Sequence, residues 1–142
     1  MIIPDINLLV HAVQQRSLHH EQAAAWLGRS LVGAEQVGFA WLALVGFVRV
    51  ATAAFHDHPL SVDEAFEAVE AWLAAPAARV LHPTDDHARL LRSLLEPVGT
   101  AGNLTNDAHL AALSIEHQGV VFSADSDFDR FPGVQWENPL AA

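Results

Sequence analysis

The chain has 142 residues, 51% of them hydrophobic, and a formal net charge of −10 with seven arginines and no lysine or cysteine. That length suits one domain with one core, and no apolar run reaches the roughly 18 residues of a membrane helix. Without lysine there is no Gly-Lys-Ser/Thr phosphate loop, no receiver-type site and no Schiff-base chemistry; without cysteine there is no thiolate metal site. A broad basic face for nucleic acid is excluded as well, so attraction to RNA must come from bound cations and a few arginines. The acidic surface either suits a basic protein partner or simply keeps the chain soluble. Nothing at the start resembles a signal peptide, and the expected location is cytoplasmic.

Met1–Ile3 reads as a short strand, ended by Pro4 because proline lacks an N–H. Asp5 follows, then a helix over Ile6–Gln14. A second helix covers Glu21–Leu31, with Ala24, Ala25 and Leu27 inward and Gly33 breaking it. Val37–Ala40 is a second strand. Trp41–Phe55 is a strongly apolar helix with Leu42, Val45, Val48, Arg49 and Thr52 at three- and four-residue steps. It is expected between neighbours or at a dimer interface. Ser61-Val-Asp-Glu64 is a capping box that opens a helix to Ala75. Phe66, Val69, Trp72 and Leu73 form its apolar stripe, and Asp63, Glu64, Glu67 and Glu70 its solvated side. Arg79–Leu81 is a third strand. Thr84 caps a helix over Asp85–Glu96 that buries Leu90, Leu91, Leu94 and Leu95. A helix over Asn103–Gly119, a strand over Val120–Ser123 and a last strand over Val134–Trp136 complete the chain. This alternation predicts an α/β fold: a mostly parallel central sheet flanked by helices, one domain spanning residues 1–142.

Sites in such sheets form beyond the carboxyl ends of the strands. Asp5 and Asp125 directly follow strands, and Asp107 opens a helix that can reach the same crevice. Asp127 and Asp129 come just after. Clustered carboxylates raise each other's pKa values, and a cation relieves the repulsion. Oxygen-only ligands favour Mg2+ or Mn2+ over zinc. Such an ion lowers the pKa of a bound water and holds a phosphate oxygen, as attack on a phosphodiester requires. The same acids also have a purely structural reading, with Asp5 capping the first helix and Asp125 capping a turn. His19-His20 and His56-Asp57-His58 read as exposed side chains before metal pairs. Trp26, Trp41, Trp72 and Trp136 read as core or dimer packing before base-stacking platforms.

Four segments run in order along nearly the whole chain: M-I-I-P-D-I-N-L-L-V, F-V-R-V-A-T, L-T-N-D-A-H-L-A-A-L-S-I-E and V-F-S-A-D-S-D-F-D-R-F-P-G. This ordered set resembles the PIN-domain ribonuclease toxins of the VapC family, from VapBC type II toxin–antitoxin systems, and is closest to the mycobacterial-type subgroup. The resemblance implies a PIN-like (Rossmann-like) three-layer fold and a Mg2+- or Mn2+-dependent endoribonuclease. It also implies a homodimer, and a VapB-type antitoxin whose C-terminal segment enters the acidic groove. It gives catalysis and metal binding to Asp5, Asp107 and Asp125, with Asp127 as a companion ligand. Asn7, Arg49 and Thr105 fall on the substrate side, although a helix cap explains Thr105 more simply and an ion pair would serve for Arg49. One position departs: the family often carries glutamate three residues before this arginine, and here it is Gly46. Either Asp127 or waters complete the metal's octahedron, or the chain is a catalytically weak PIN module that binds RNA or antitoxin without efficient cleavage. A phosphatase-like enzyme would need a second acid in D-x-D, which Asp5-Ile-Asn7 lacks.

Overall fold

Among the described residues five strands, β1 (Ile2–Pro4), β2 (Val37–Ala40), β3 (Ala78–Leu81), β4 (Val120–Phe122) and β5 (Trp136–Glu137), make one sheet in the order β3-β2-β1-β4-β5. The computed structural model describes residues 1–54 and 57–141. Every pairing is parallel. The chain builds outward from β1 to β3 on one side, then returns to place β4 and β5 on the other. The switch in strand order therefore lies between β1 and β4, where Ile3 pairs with Val121 and Pro4 with Phe122. Whatever follows these two strands emerges side by side.

Pro4 differs from its sequence reading, being the last residue of the central strand rather than the residue beyond it. The missing N–H is tolerated because the chain leaves the ladder there. The next donor, Asp5 N–H, bonds Phe122 O at 2.9 Å.

Among the described residues six α-helices connect the strands: α1 (Ile6–Val13), α2 (His20–Leu31), α3 (Trp41–Ala51), α4 (Val62–Ala74), α5 (His87–Leu95) and α6 (Thr105–Glu116). Each was expected, with different ends. The helix read through Phe55 stops at Ala51, where the Thr52 hydroxyl turns back to Val48 O at 2.7 Å; Phe55 and His56 lie outside the described residues. Thr84 accepts the Asp86 N–H, but α5 starts only at His87, and the Thr84 hydroxyl donates to Glu116. A 3₁₀ turn over Gly102–Leu104 precedes α6, and the reversal after it falls on Gln118, with φ 55°. Gly119 is needed for space: a Cβ there would stand 2.7 Å from Ile3 Cδ1. The last strand is displaced to Trp136–Glu137. The Ser61–Glu64 capping box forms as expected.

The buried faces also shift. In α2 they are Ala23, Trp26 and Leu27; in α4, Ala65, Val69 and Trp72, with Phe66 exposed; in α5, Leu94 alone is fully buried. In α3 the inward line is Ala43, Leu44, Gly46, Phe47 and Ala51, and Val45 is 61% exposed. A helix apolar all round does not disclose its inner face by periodicity; small residues settle it, because they let α3 approach the sheet and α1 closely. Phe47 meets Trp72 edge-on at 4.8 Å, and Trp72 stacks with Phe39 at 6.1 Å. Trp26 stacks on Phe122 at 5.4 Å. Asp129 accepts the Trp136 indole N–H at 2.7 Å.

Phe47 is fully buried, so Phe47→Ala should cost about 3–5 kcal/mol of stability. Urea unfolding would show it, and a loss below about 1 kcal/mol would contradict this placement of α3.

Candidate active site and metal centre

Asp107, Asp125 and Asp127 each present a carboxylate oxygen, and the three oxygens lie within 4.8 Å of one another. Asp107 comes from the first turn of α6, the other two from the segment after β4. Asp125 Oδ1 accepts the Asp127 N–H at 2.9 Å, capping a 3₁₀ turn over Ser126–Arg130. The capping role of Asp125 and its place in the acid cluster thus coexist.

Asp5 stands beside this trio. It is 5% exposed and caps α1, its Oδ1 accepting the Ile6 N–H at 2.7 Å. Its Oδ2 accepts the Ser123 hydroxyl at 2.8 Å and the Asn7 amide at 3.4 Å. Burial pushes the Asp5 carboxyl above its ordinary value; the bonds from Ser123 and Ile6 oppose that, and the charge of Asp125 adds to it.

Ser123 escaped the sequence reading. It is fully buried, accepts the Asp125 N–H at 3.0 Å and the Asn7 amide at 3.1 Å, and donates to Asp5. Asn7 Oδ1 accepts the Ala124 N–H at 3.1 Å. Asn7 and Ser123 therefore stitch the start of α1 to the exit of β4, and the Asn7 amide is occupied internally. The only signal in the sequence was a hydroxyl two residues before Asp125. It becomes informative once β1 and β4 are known to be neighbours.

Asp107 is half-buried, and its carboxyl is raised to about 7 by burial first, then by the charges of Asp5, Asp125 and Asp127. Among the described residues the cation paired with the cluster is Arg130, whose Nε lies 3.6 Å from Asp127 Oδ1. Arg49 is exposed in the last turn of α3, about one turn beyond Gly46, and enters none of the ion pairs found among the described residues. Thr105 is exposed and is the first helical residue of α6 rather than its cap, because the preceding 3₁₀ turn already receives its N–H.

The histidines belong elsewhere. His109 turns from Asp107 toward His87, with Nδ1 2.9 Å from His87 Nε2, and His87 also bonds Glu116. This network ties α5 to α6. His20 Nδ1 bonds His11 O at 3.0 Å, and His19 packs edge-on against the His11 ring. A concavity of about 600 Å3 is lined by Gln14, Arg16, His58 and Glu64. It lies at the far end of α1, roughly 13 Å from Asp5 along the helix, away from the acids.

The donors suit a hard divalent cation: all are carboxylate oxygens, and the arginine paired with them among the described residues, Arg130, reaches Asp127 alone. Residues 2–134 match the PIN domain family. Ribonuclease VapC37 of Mycobacterium tuberculosis is 49% identical over 142 residues, covering 99% of each chain. The chain is a member of the VapC family of PIN domains. Ribonuclease VapC33 of the same species is 40% identical over 141 residues, again covering 99% of each. VapBC2 from Rickettsia felis, solved bound to a promoter DNA fragment, superposes with TM-score 0.69 at 16% identity, covering 97% of this chain and 98% of that one. M. tuberculosis VapC20, described as a sarcin-ricin loop cleaving toxin, gives 0.65 at 18%, covering 95% and 99%. At such identities the solved structures show the fold, and it is the PIN-like three-layer arrangement expected. Among the described residues of this VapC-family chain, no helix is long and apolar enough to cross a membrane.

The raised Asp107 makes pH a test. Folded, its carboxyl keeps a proton up to about pH 7; unfolded, only to near its ordinary value of 3.8. Between these limits the folded chain binds the extra proton, so its contribution to stability is present at acid pH and lost as pH rises toward 7. Without a divalent cation, the melting temperature should fall more from pH 5 to pH 8 in the wild type than in Asp107→Asn. The same proton competes with a cation, so Mn2+ affinity should be about tenfold weaker at pH 6 than at pH 8. Calorimetry reads both, and an affinity flat across this range would refute the shift.

Proposed function

We propose that this chain is a divalent-cation-dependent endoribonuclease, the toxin of a type II toxin–antitoxin pair, acting as a single domain. The observation that carries the reading is the convergence of Asp107, Asp125 and Asp127 within 4.8 Å at the switch point of a VapC-family sheet. The donor set favours Mg2+ or Mn2+. Such an ion supplies a water of lowered pKa and a hold on a phosphate oxygen. Asp107, Asp125 and Asp127 hold it. Asp5 acts from behind them, adding negative charge and, through Ser123 and Asn7, fixing the chain that carries Asp125. Arg49 and Arg130 are exposed positive groups available to substrate phosphates, and Thr105 is exposed beside Asp107. In a chain of net charge −10 these few groups and the cation must supply the attraction RNA requires.

Several solved neighbours are VapBC pairs, which supports a VapB-type antitoxin; the acidic groove would take a basic segment of it. Trp41, Val45 and Phe66 expose an apolar face of α3 and α4, which supports a homodimer. The cytoplasm suits such a pair. Gly46 favours the second reading, a weak PIN module that binds RNA or antitoxin without efficient cleavage.

Cleavage of RNA by purified protein in Mg2+ or Mn2+, with growth on induced expression, separates the two. Asp107→Asn and Asp125→Asn should lower cleavage by about 100-fold or more and abolish toxicity, while Ser123→Ala should weaken metal binding by about tenfold. Wild type and variants that are equally slow and harmless would leave the binding module. For the dimer, Val45→Glu should convert the sedimenting species to a monomer; a monomeric wild type would sink that part of the reading.

A further inference from the structure

The segment after β4 is a 3₁₀ turn over Ser126–Arg130. In a 3₁₀ helix, side chains three positions apart eclipse one another, so the turn has three edges. Phe128, fully buried, and Phe131, just past the turn, form one edge; their rings meet at 6.1 Å, and Phe128 lies 6.3 Å from the Trp136 ring. Asp129 stands on the second edge and accepts the Trp136 indole N–H. Asp127 and Arg130 form the third, with Nε of the arginine 3.6 Å from Oδ1 of the acid. Two edges anchor the backbone, and the third brings Arg130 to the acid trio through Asp127.

The ion pair on that edge is weak. Arg130 is 57% and Asp127 40% exposed, and ion pairs open to water contribute little. The pair also uses a carboxylate that the trio offers to a cation. A divalent charge held by Asp107, Asp125 and Asp127 would neutralise Asp127 and repel the guanidinium. Arg130 makes no second ion pair among the described residues, and Asp129 is taken by Trp136. A phosphate drawn to the cation would supply the missing anion, and the planar guanidinium fork matches phosphate oxygens. Arg49 has no such link to the acids. We propose that Arg130 exchanges partners, neutralising Asp127 while the centre lacks a cation and holding an RNA phosphate once the cation is bound. The inference rests on the metal-dependent ribonuclease reading above.

Mn2+ calorimetry without RNA, and steady-state cleavage of labelled single-stranded RNA, test the two halves separately. Arg130→Gln should bind Mn2+ about threefold tighter or more, because a competing positive charge is gone. In saturating Mn2+ it should raise KM for the RNA about tenfold and change kcat far less, and the salt dependence of KM should fall by about one phosphate contact. Arg130→Lys keeps the charge, so it should bind Mn2+ like the wild type and recover part of the KM. Unchanged Mn2+ affinity or unchanged KM in Arg130→Gln would overturn the exchange. So would weaker Mn2+ binding with a lower melting temperature, which would make the pair structural. A wild type that binds no Mn2+, or cleaves no RNA, would overturn the ribonuclease reading and this inference with it. A wild type that does both, beside an Arg130→Gln variant equal to it in both, would overturn the exchange alone.

Discussion

The hydrogen bond from the Ser123 hydroxyl to Asp5 Oδ2 is the interaction on which the site depends. It joins the residue after β1 to the residue after β4, 118 positions apart in sequence, at 2.8 Å and out of reach of water. A hydrogen bond to a buried carboxylate contributes roughly 1.5–3 kcal/mol, and its geometric effect is larger than its energy. Ser123 also receives the Asp125 N–H and the Asn7 amide. One hydroxyl thus sets the spacing between Asp5 and the chain that delivers Asp125 and Asp127. The parallel pairing of Ile3 with Val121 and Pro4 with Phe122 brings the two ends together; the serine fixes how they meet.

The fold tolerates this concentration of charge by treating the acids differently. Asp5 is solvated by the protein, through a helix N-terminus, a hydroxyl and an amide. Asp125 is partly compensated by the 3₁₀ turn it caps, and Asp127 by Arg130 at the surface. Asp107 carries the remaining strain, half-buried and facing the other three. A group in that position is stabilised either by a proton or by a cation, and the two compete. The environment that makes Asp107 hard to ionise is therefore the one that makes a cation favourable there.

Much of this was legible in the sequence for a physical reason: element existence follows from hydrophobic periodicity and punctuation, both local. Asp5 and Asp125 were readable because each directly follows a short apolar run, and Asp107 because it opens a helix after a polar stretch. Asp127's proximity to Asp107 and Asp125 could only be suspected, since a 3₁₀ turn had to fold it back. What could not be read depended on tertiary partners. The inner face of α3 was hidden because nearly every residue of that helix is apolar, and the line chosen from its spacing included the outward Val45. Thr84 and Thr105 both looked like caps. Glu116, 32 residues away in sequence, takes the hydroxyl of the first, and a preceding turn makes a cap at the second unnecessary. Ser123 is ordinary in sequence and decisive in space.

Small residues complete the site from the other direction. Gly119 admits Ile3 against the start of β4, Gly38 admits Leu81 and Met1 between β2 and its neighbours, and Gly46 admits Ile6 against α3. In each case a missing Cβ lets a branched or long apolar side chain seat next to backbone, drawing helices and sheet together around the ends of β1 and β4. Two of these contacts flank Asp5 in sequence, at Ile3 and Ile6. The carboxylate most deeply buried is thus held by apolar packing on both sides of it in the chain. A side chain at any of the three glycines would first meet Ile3, Met1, Leu81 or Ile6.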